Sequence, residues 1–142
     1  MKIPMYQVDA FASRPFAGNP AAVCVLDEWL EDGVLQDIAS ENNLAETAFI
    51  IKNADEYSLR WFTPTVEIDL CGHATLASAY VIFEFLEPTR REVIFNTMSG
   101  KLAVANSDDG KLVMDFPSRM PIKSDMPQIV IDAFNVKPLE VF

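Results

Sequence analysis

At 142 residues, half of them hydrophobic, the chain is long enough for one domain with a substantial core and short for a two-domain enzyme. Its net charge of −10, from 21 acidic against 11 basic side chains, argues against nucleic acid and anionic membrane as partners, since both require a basic footprint. Two cysteines and a single histidine offer no spacing for a zinc site of the usual Cys/His kinds, so no metal is expected, and the reducing cytoplasm is the default location.

The N-terminal residues lack the long apolar core and small-residue cleavage site of a signal peptide, and residues 3–11 read as a first strand. Two prolines, a glycine and an asparagine then specify the loop Ser13-Arg14-Pro15-Phe16-Ala17-Gly18-Asn19-Pro20, before a buried strand over residues 21–26. After Glu31-Asp32-Gly33 a helical period sets Val34, Leu35, Ile38 and Ala39 on one face and Gln36, Asp37, Ser40 and Glu41 on the other, ending at Asn42-Asn43. Leu44-Ala45-Glu46-Thr47-Ala48-Phe49-Ile50-Ile51 follows, an apolar strand with a carboxylate near its start. Desolvation disfavours an ionised carboxylate, which suits Glu46 to exchange protons as a general acid or base; a solvated acid at a helix-to-strand turn is the plainer reading of its position.

Residues 57–62 alternate as a strand, with Tyr57, Leu59 and Trp61 on one face and Ser58, Arg60 and Phe62 on the other, and Thr63-Pro64 ends it. The organising stretch is Asp69-Leu70-Cys71-Gly72-His73-Ala74-Thr75-Leu76-Ala77, where an extended segment meets a helix over residues 73–85. That helix is apolar on nearly every face and is therefore expected to be buried all round, wrapped by sheet. The backbone N–H groups of its first turn lack intrahelical partners and carry the positive end of its dipole, which favours a small anion there, and Gly72 leaves room for its approach.

Glu87-Pro88-Thr89 stops the helix, and residues 92–97, 101–105 and 111–116 form an antiparallel meander joined by short turns, with Leu112, Met114 and Phe116 facing the helix. A proline-rich, linker-like stretch then leads to a short helix over residues 128–134. The aromatic set Phe11, Phe16, Phe49, Trp61 and Phe62 is expected in the core, Cys24 has no functional case, and no glycine-rich phosphate loop occurs, so no cofactor is implied.

Six motifs carry a family resemblance. They are Val8-Asp9-Ala10-Phe11, Pro15-Phe16-Ala17-Gly18-Asn19-Pro20-Ala21-Ala22-Val23, Asn43-Leu44-Ala45-Glu46-Thr47-Ala48-Phe49, Leu59-Arg60-Trp61-Phe62-Thr63-Pro64, Asp69-Leu70-Cys71-Gly72-His73-Ala74-Thr75-Leu76-Ala77 and Met114-Asp115-Phe116-Pro117. In this order the chain resembles the phenazine-biosynthesis PhzF-like isomerases, of the diaminopimelate-epimerase-like group that includes the proline racemases. The resemblance implies an α+β fold, with residues 1–117 forming one lobe: a curled, mostly antiparallel sheet, or half-barrel, around a central buried helix. Residues 118–142 would be a linker and the start of a missing second lobe, with the active site in the cleft between the two.

The resemblance also implies roles. Glu46 matches the family's proton-transfer glutamate and His73 its substrate-side histidine; Asn19, Gly72, Ala74 and Thr75 would line the binding site for a carboxylate-bearing substrate. Cys71 matches the catalytic thiol of the racemase and epimerase relatives, where a helix N-terminus lowers a thiol pKa, while a small buried hydrophobe is its plainer reading. The leading expectation is a cofactor-independent isomerase that moves a proton between carbons through Glu46. The alternatives are a Cys71-dependent epimerase or racemase, and a non-catalytic binding or interaction module. An open cleft should also make the chain associate, as a homodimer or with a second lobe.

Overall fold

The computed structural model describes residues 2–14, 16–118, 120–136 and 138–141, so Pro15 of the loop motif and both chain ends lie outside the described residues. Seven strands follow one another across a single sheet in the order β1 (Met5–Ala10), β2 (Asn19–Leu26), β3 (Glu46–Asn53), β4 (Glu56–Phe62), β6 (Glu92–Thr97), β7 (Gly100–Asn106), β8 (Leu112–Asp115); β5 (Glu67–Ile68) pairs with β4 off this path. Most neighbours are antiparallel, and the parallel ones are β2 with β3 and β4 with β6. Each parallel pair is joined through a helix, as a connection returning to the same end of the sheet requires: α1 (Asp32–Asn42) for the first and α2 (Gly72–Val81) for the second.

The sheet curls around α2. Ala74, Ala77, Ala79 and Val81 are buried against Val23, Ala48, Ile50, Leu59, Trp61, Phe95, Leu102 and Val104 of the concave face. Small residues on α2 let the strands approach closely from several sides, which is why a helix so apolar is stable only here. The expected split of β4 holds, because Tyr57, Leu59 and Trp61 face α2 while Phe62 joins Cys24, Leu26, Phe49 and Ile51 against Leu35 and Ala39 of α1 on the convex face.

Several expectations are corrected. Val34 is 44 % exposed, because Leu35, Ile38 and Ala39 alone form the inner stripe of α1. Phe11 and Phe16 are not core residues: they are 68 % and 97 % exposed, in the loop between β1 and β2, and both adopt left-handed backbone conformations (φ 57° and 62°). The central helix does not stay α-helical to residue 85 but widens into a π-helical turn, Ile82–Leu86, closed by the Glu87 N–H donating to the Ile82 carbonyl at 2.7 Å. That turn carries Phe85 outward, where it stacks on Tyr6 with ring centroids 5.0 Å apart. The short helix α3 (Gln128–Phe134) lies where the sequence places it and has no buried residue. Among the described residues no helix is long and apolar enough to cross a membrane.

Candidate active site

Glu46 owes its position to the parallel junction of β2 and β3. Ala21 pairs with Glu46, and Ala48 and Ile50, on the same face as Glu46 by the two-residue period of a strand, pack in the concave core. The carboxylate is thereby turned toward the start of α2. Just before it, α1 ends at Asn43 in the left-handed conformation. Asn42 Nδ2 donates to Thr47 Oγ1 at 3.1 Å, which ties the end of α1 to the first residues of β3.

The other half of the site is the α2 N-terminus. Cys71 is extended at the N-cap, and two residues later His73 turns its ring back, so that Cys71 Sγ lies 3.4 Å from Nδ1 and Nε2 lies 3.0 Å from Glu46 Oε2. The last pair is close in distance but lacks hydrogen-bond alignment, so Glu46 Oε2 and His73 Nε2 are both buried with no hydrogen-bond partner. Each such atom costs about 1–3 kcal/mol, and native structures rarely retain them without a use. The side chains are only 9 % (His73) and 17 % (Glu46) exposed.

The thiol is buried, as the plainer reading of Cys71 has it. Burial pushes Cys71 up to about 11; the backbone N–H groups of Ala74 and His73 pull the other way, and the nearby Glu46 carboxylate adds to the rise. A helix N-terminus does favour a thiolate, but here desolvation outweighs it and the thiol stays protonated at neutral pH. With an S–H donating to Nδ1, the proton of His73 is assigned to Nε2, on the side of Glu46.

The remaining predicted residues divide. Gly72 has open space where a Cβ would sit. Ala74 and Thr75 are fully buried, and Thr75 Oγ1 donates to the Cys71 carbonyl, bracing the junction from within. Asn19 is exposed, and it shares a face of β2 with Ala21, the strand neighbour of Glu46. Sequence reasoning treated Trp61 as packing only; it is fully buried beside Ala48, yet its indole N–H also lacks a partner, a feature no sequence signal separates from ordinary core. A groove of 830 Å³ runs between β1 and β8 along Leu76, Ala77 and Tyr80 of α2 and touches none of Glu46, Cys71 and His73.

Comparison with known proteins gives a consistent result. A family model described as phenazine biosynthesis-like protein matches residues 8–137. An uncharacterized isomerase of Pseudomonas aeruginosa is 50 % identical over 141 residues, covering 99 % of this chain and 54 % of that protein. The crystal structure of a PhzF-family phenazine biosynthesis protein from Enterococcus faecalis superposes with a TM-score of 0.86 at 47 % identity, over 99 % of this chain and 54 % of that one. A PhzC/PhzF protein from Clostridium difficile does so with a TM-score of 0.84 at 46 % identity, over 98 % and 53 %. The chain thus spans about half the length of the curated relatives it matches.

Proposed function

The chain belongs to the phenazine biosynthesis-like family, and on that premise we propose that it supplies one lobe of a cofactor-independent isomerase with Glu46 as the acid/base. The observation that carries this reading is the pair of buried, unpartnered atoms Glu46 Oε2 and His73 Nε2, 3.0 Å apart. A substrate oxygen accepting from Nε2–H would satisfy the ring, and a C–H beside it would face the carboxylate.

The proton balance needs one group. Glu46 takes a proton from one carbon of a carboxylate-bearing substrate, the electron pair delocalises toward the oxygen held by His73, and the protonated Glu46 returns the proton to another carbon of the same system. The first-turn N–H of α2 beside Gly72 suits the substrate carboxylate, with Asn19 as a further polar contact on the cleft wall. A second lobe, as in relatives of twice this length, or a second copy of the chain, would exclude water.

The rival, with Cys71 as the base, is disfavoured by a thiol pushed up to about 11. The test is deuterium incorporation from D2O into a panel of small unsaturated carboxylates, using the chain in its associated form. Glu46→Gln should lower exchange by about 10²- to 10⁴-fold, and Cys71→Ala by no more than about tenfold. Exchange that survives Glu46→Gln and is lost in Cys71→Ala would replace the glutamate mechanism by the thiol one. Ligand-induced thermal stabilisation without exchange would leave a binding module.

A further inference from the structure

We propose that Ser99 is a positioning residue for the candidate site, acting through the backbone that leads into α2. Ser99 lies in the turn Met98-Ser99 between β6 and β7, where Thr97 pairs with Gly100. Its hydroxyl donates to the Asp69 carbonyl at 2.7 Å, across 30 positions of sequence. The chain bends at Asp69, and Cys71 and His73 follow directly in the segment that enters α2. The turn itself aims the hydroxyl. The Ser99 N–H donates to Thr97 Oγ1 at 3.1 Å, and the Thr97 hydroxyl donates to the Gly100 carbonyl at 2.8 Å. Gly100 completes the turn with a φ of 94°, in the left-handed region that favours glycine.

Among the described residues no side chain caps the first turn of α2, so the direction in which that turn presents Cys71 and His73 depends on how the preceding backbone is held. Side chains hold it at alternate positions. Arg60 grips the Glu67 carboxylate at 2.6 and 2.7 Å, Ser99 holds the Asp69 carbonyl, and Thr75 holds the Cys71 carbonyl. Of these three ties only the one from Ser99 reaches the β6–β7 hairpin, which follows α2 in the chain, so it fixes the entry of the helix against the element that comes after it. The approach of His73 Nε2 to Glu46 Oε2 at 3.0 Å and of Cys71 Sγ to His73 Nδ1 at 3.4 Å both depend on that entry path. A misplacement of reacting groups by about 1 Å can cost about 10²-fold in rate. The Ser99 bond is exposed, and a neutral hydrogen bond shared with water contributes little net stability, which separates a positioning role from a structural one. Its effect on turnover rests on the isomerase reading; its effect on His73 does not.

The experiment compares the ring resonances of His73, the chain's single histidine, in the wild type, Ser99→Ala and Ser99→Thr, with thermal unfolding of each. Ser99→Ala should move the ring signals while its unfolding midpoint stays close to that of the wild type, and Ser99→Thr, which keeps a hydroxyl donor, should return the signals to their wild-type positions. Ser107→Ala is the control. It removes another turn hydroxyl that donates to a backbone carbonyl, that of Lys111 at 2.7 Å, and should leave His73 unchanged. Deuterium incorporation from D2O into small unsaturated carboxylates should fall about tenfold in Ser99→Ala and recover in Ser99→Thr. Histidine signals that ignore Ser99→Ala, an equal response to Ser107→Ala, no recovery in Ser99→Thr, or an alanine variant that loses its fold would each overturn the proposal. A wild-type chain without exchange would remove the isomerase reading instead, and the histidine signals alone would then decide the role of Ser99.

Discussion

The Cys71 thiol faces Nδ1 of His73, the chain's single histidine, at 3.4 Å, a contact whose donor is set by the tautomer of the ring. A neutral thiol can donate to Nδ1 and leave Nε2–H directed to the Glu46 side. Cys71 is therefore expected to orient the histidine rather than to act as a base. We expect long-range ¹H–¹⁵N correlation spectra near neutral pH to give the Nε2–H tautomer in the wild type and in Cys71→Ser, which keeps a donor. In Cys71→Ala the signals should move toward a tautomer mixture, with a stability loss on the order of 1–2 kcal/mol. An unchanged tautomer in the alanine variant would assign the orientation to something else.

Acid stability should depend on Glu87. Burial alone would raise its carboxyl, but hydrogen bonds from Tyr57, Lys52 and Arg90 hold it at about 2 against an ordinary value of 4.5. Tyr57 Oη donates to Oε1 at 2.5 Å and Arg90 Nη1 to Oε2 at 2.8 Å, joining β4 to the turn that follows the π-helical segment. A carboxyl lowered on folding contributes stability that is complete above its unfolded value and lost as pH falls through the folded one. Thermal unfolding of the wild type should thus fall between about pH 4.5 and 2, and Glu87→Gln should flatten that part of the profile while costing about 1–2 kcal/mol at pH 7. An equally steep acid limb in the variant would assign the effect to other carboxylates.

Two glycines should respond in opposite senses to alanine. A Cβ at Gly18 would stand 2.4 Å from the Ala10 carbonyl oxygen, a backbone atom at the β1/β2 pairing that cannot step aside. Nothing lies within 4 Å of a Cβ at Gly33, inside α1. Gly18→Ala should cost about 2 kcal/mol or more, whereas Gly33→Ala should gain about 0.5–1 kcal/mol from helix propensity. Denaturant midpoints for the two variants decide the matter, and a tolerated Gly18→Ala would mean that the loop carrying Phe16 can shift without cost.

The uneven legibility of the chain follows from the range of the forces involved. The central helix, the β4 alternation and α3 depend on local periodicity and punctuation, such as the Pro127 that precedes Gln128, and they are readable residue by residue. What escaped is non-local. The Ala21–Glu46 register, which turns the carboxylate inward, depends on how α1 crosses between β2 and β3. The Cys71 thiol is governed by burial under a sheet whose strands are distant in sequence, and helix position alone pointed the other way. Phe11 and Phe16 were read as core from their side chains, although the left-handed backbone of their loop holds them in solvent.

The same exposed residues lead to the last prediction, that the chain self-associates. Phe16 at 97 %, Phe11 at 68 %, and Ile129 and Phe134 of α3 at 76 % and 75 % leave large apolar groups in water on a molecule with a net charge of −10. Isolated exposed apolar residues are ordinary, but α3 presents its apolar side with no buried residue behind it, and a seven-residue helix is not stable in water without something to pack on. The Cys71-Gly72-His73 junction itself contributes little to such a patch, because Cys71 and His73 are 7 % and 8 % exposed; the association surface is carried by the β1/β2 loop and the C-terminal segment instead. A second copy related by a two-fold axis is the expected partner of this surface. Light scattering at high micromolar concentration should give about twice the 15.9 kDa of one chain. Phe16→Ser combined with Phe134→Ser should shift it to the monomer without lowering the unfolding midpoint of the lobe. A wild-type chain that stays monomeric at that concentration would sink the dimer and leave a separate second lobe as the partner of this surface.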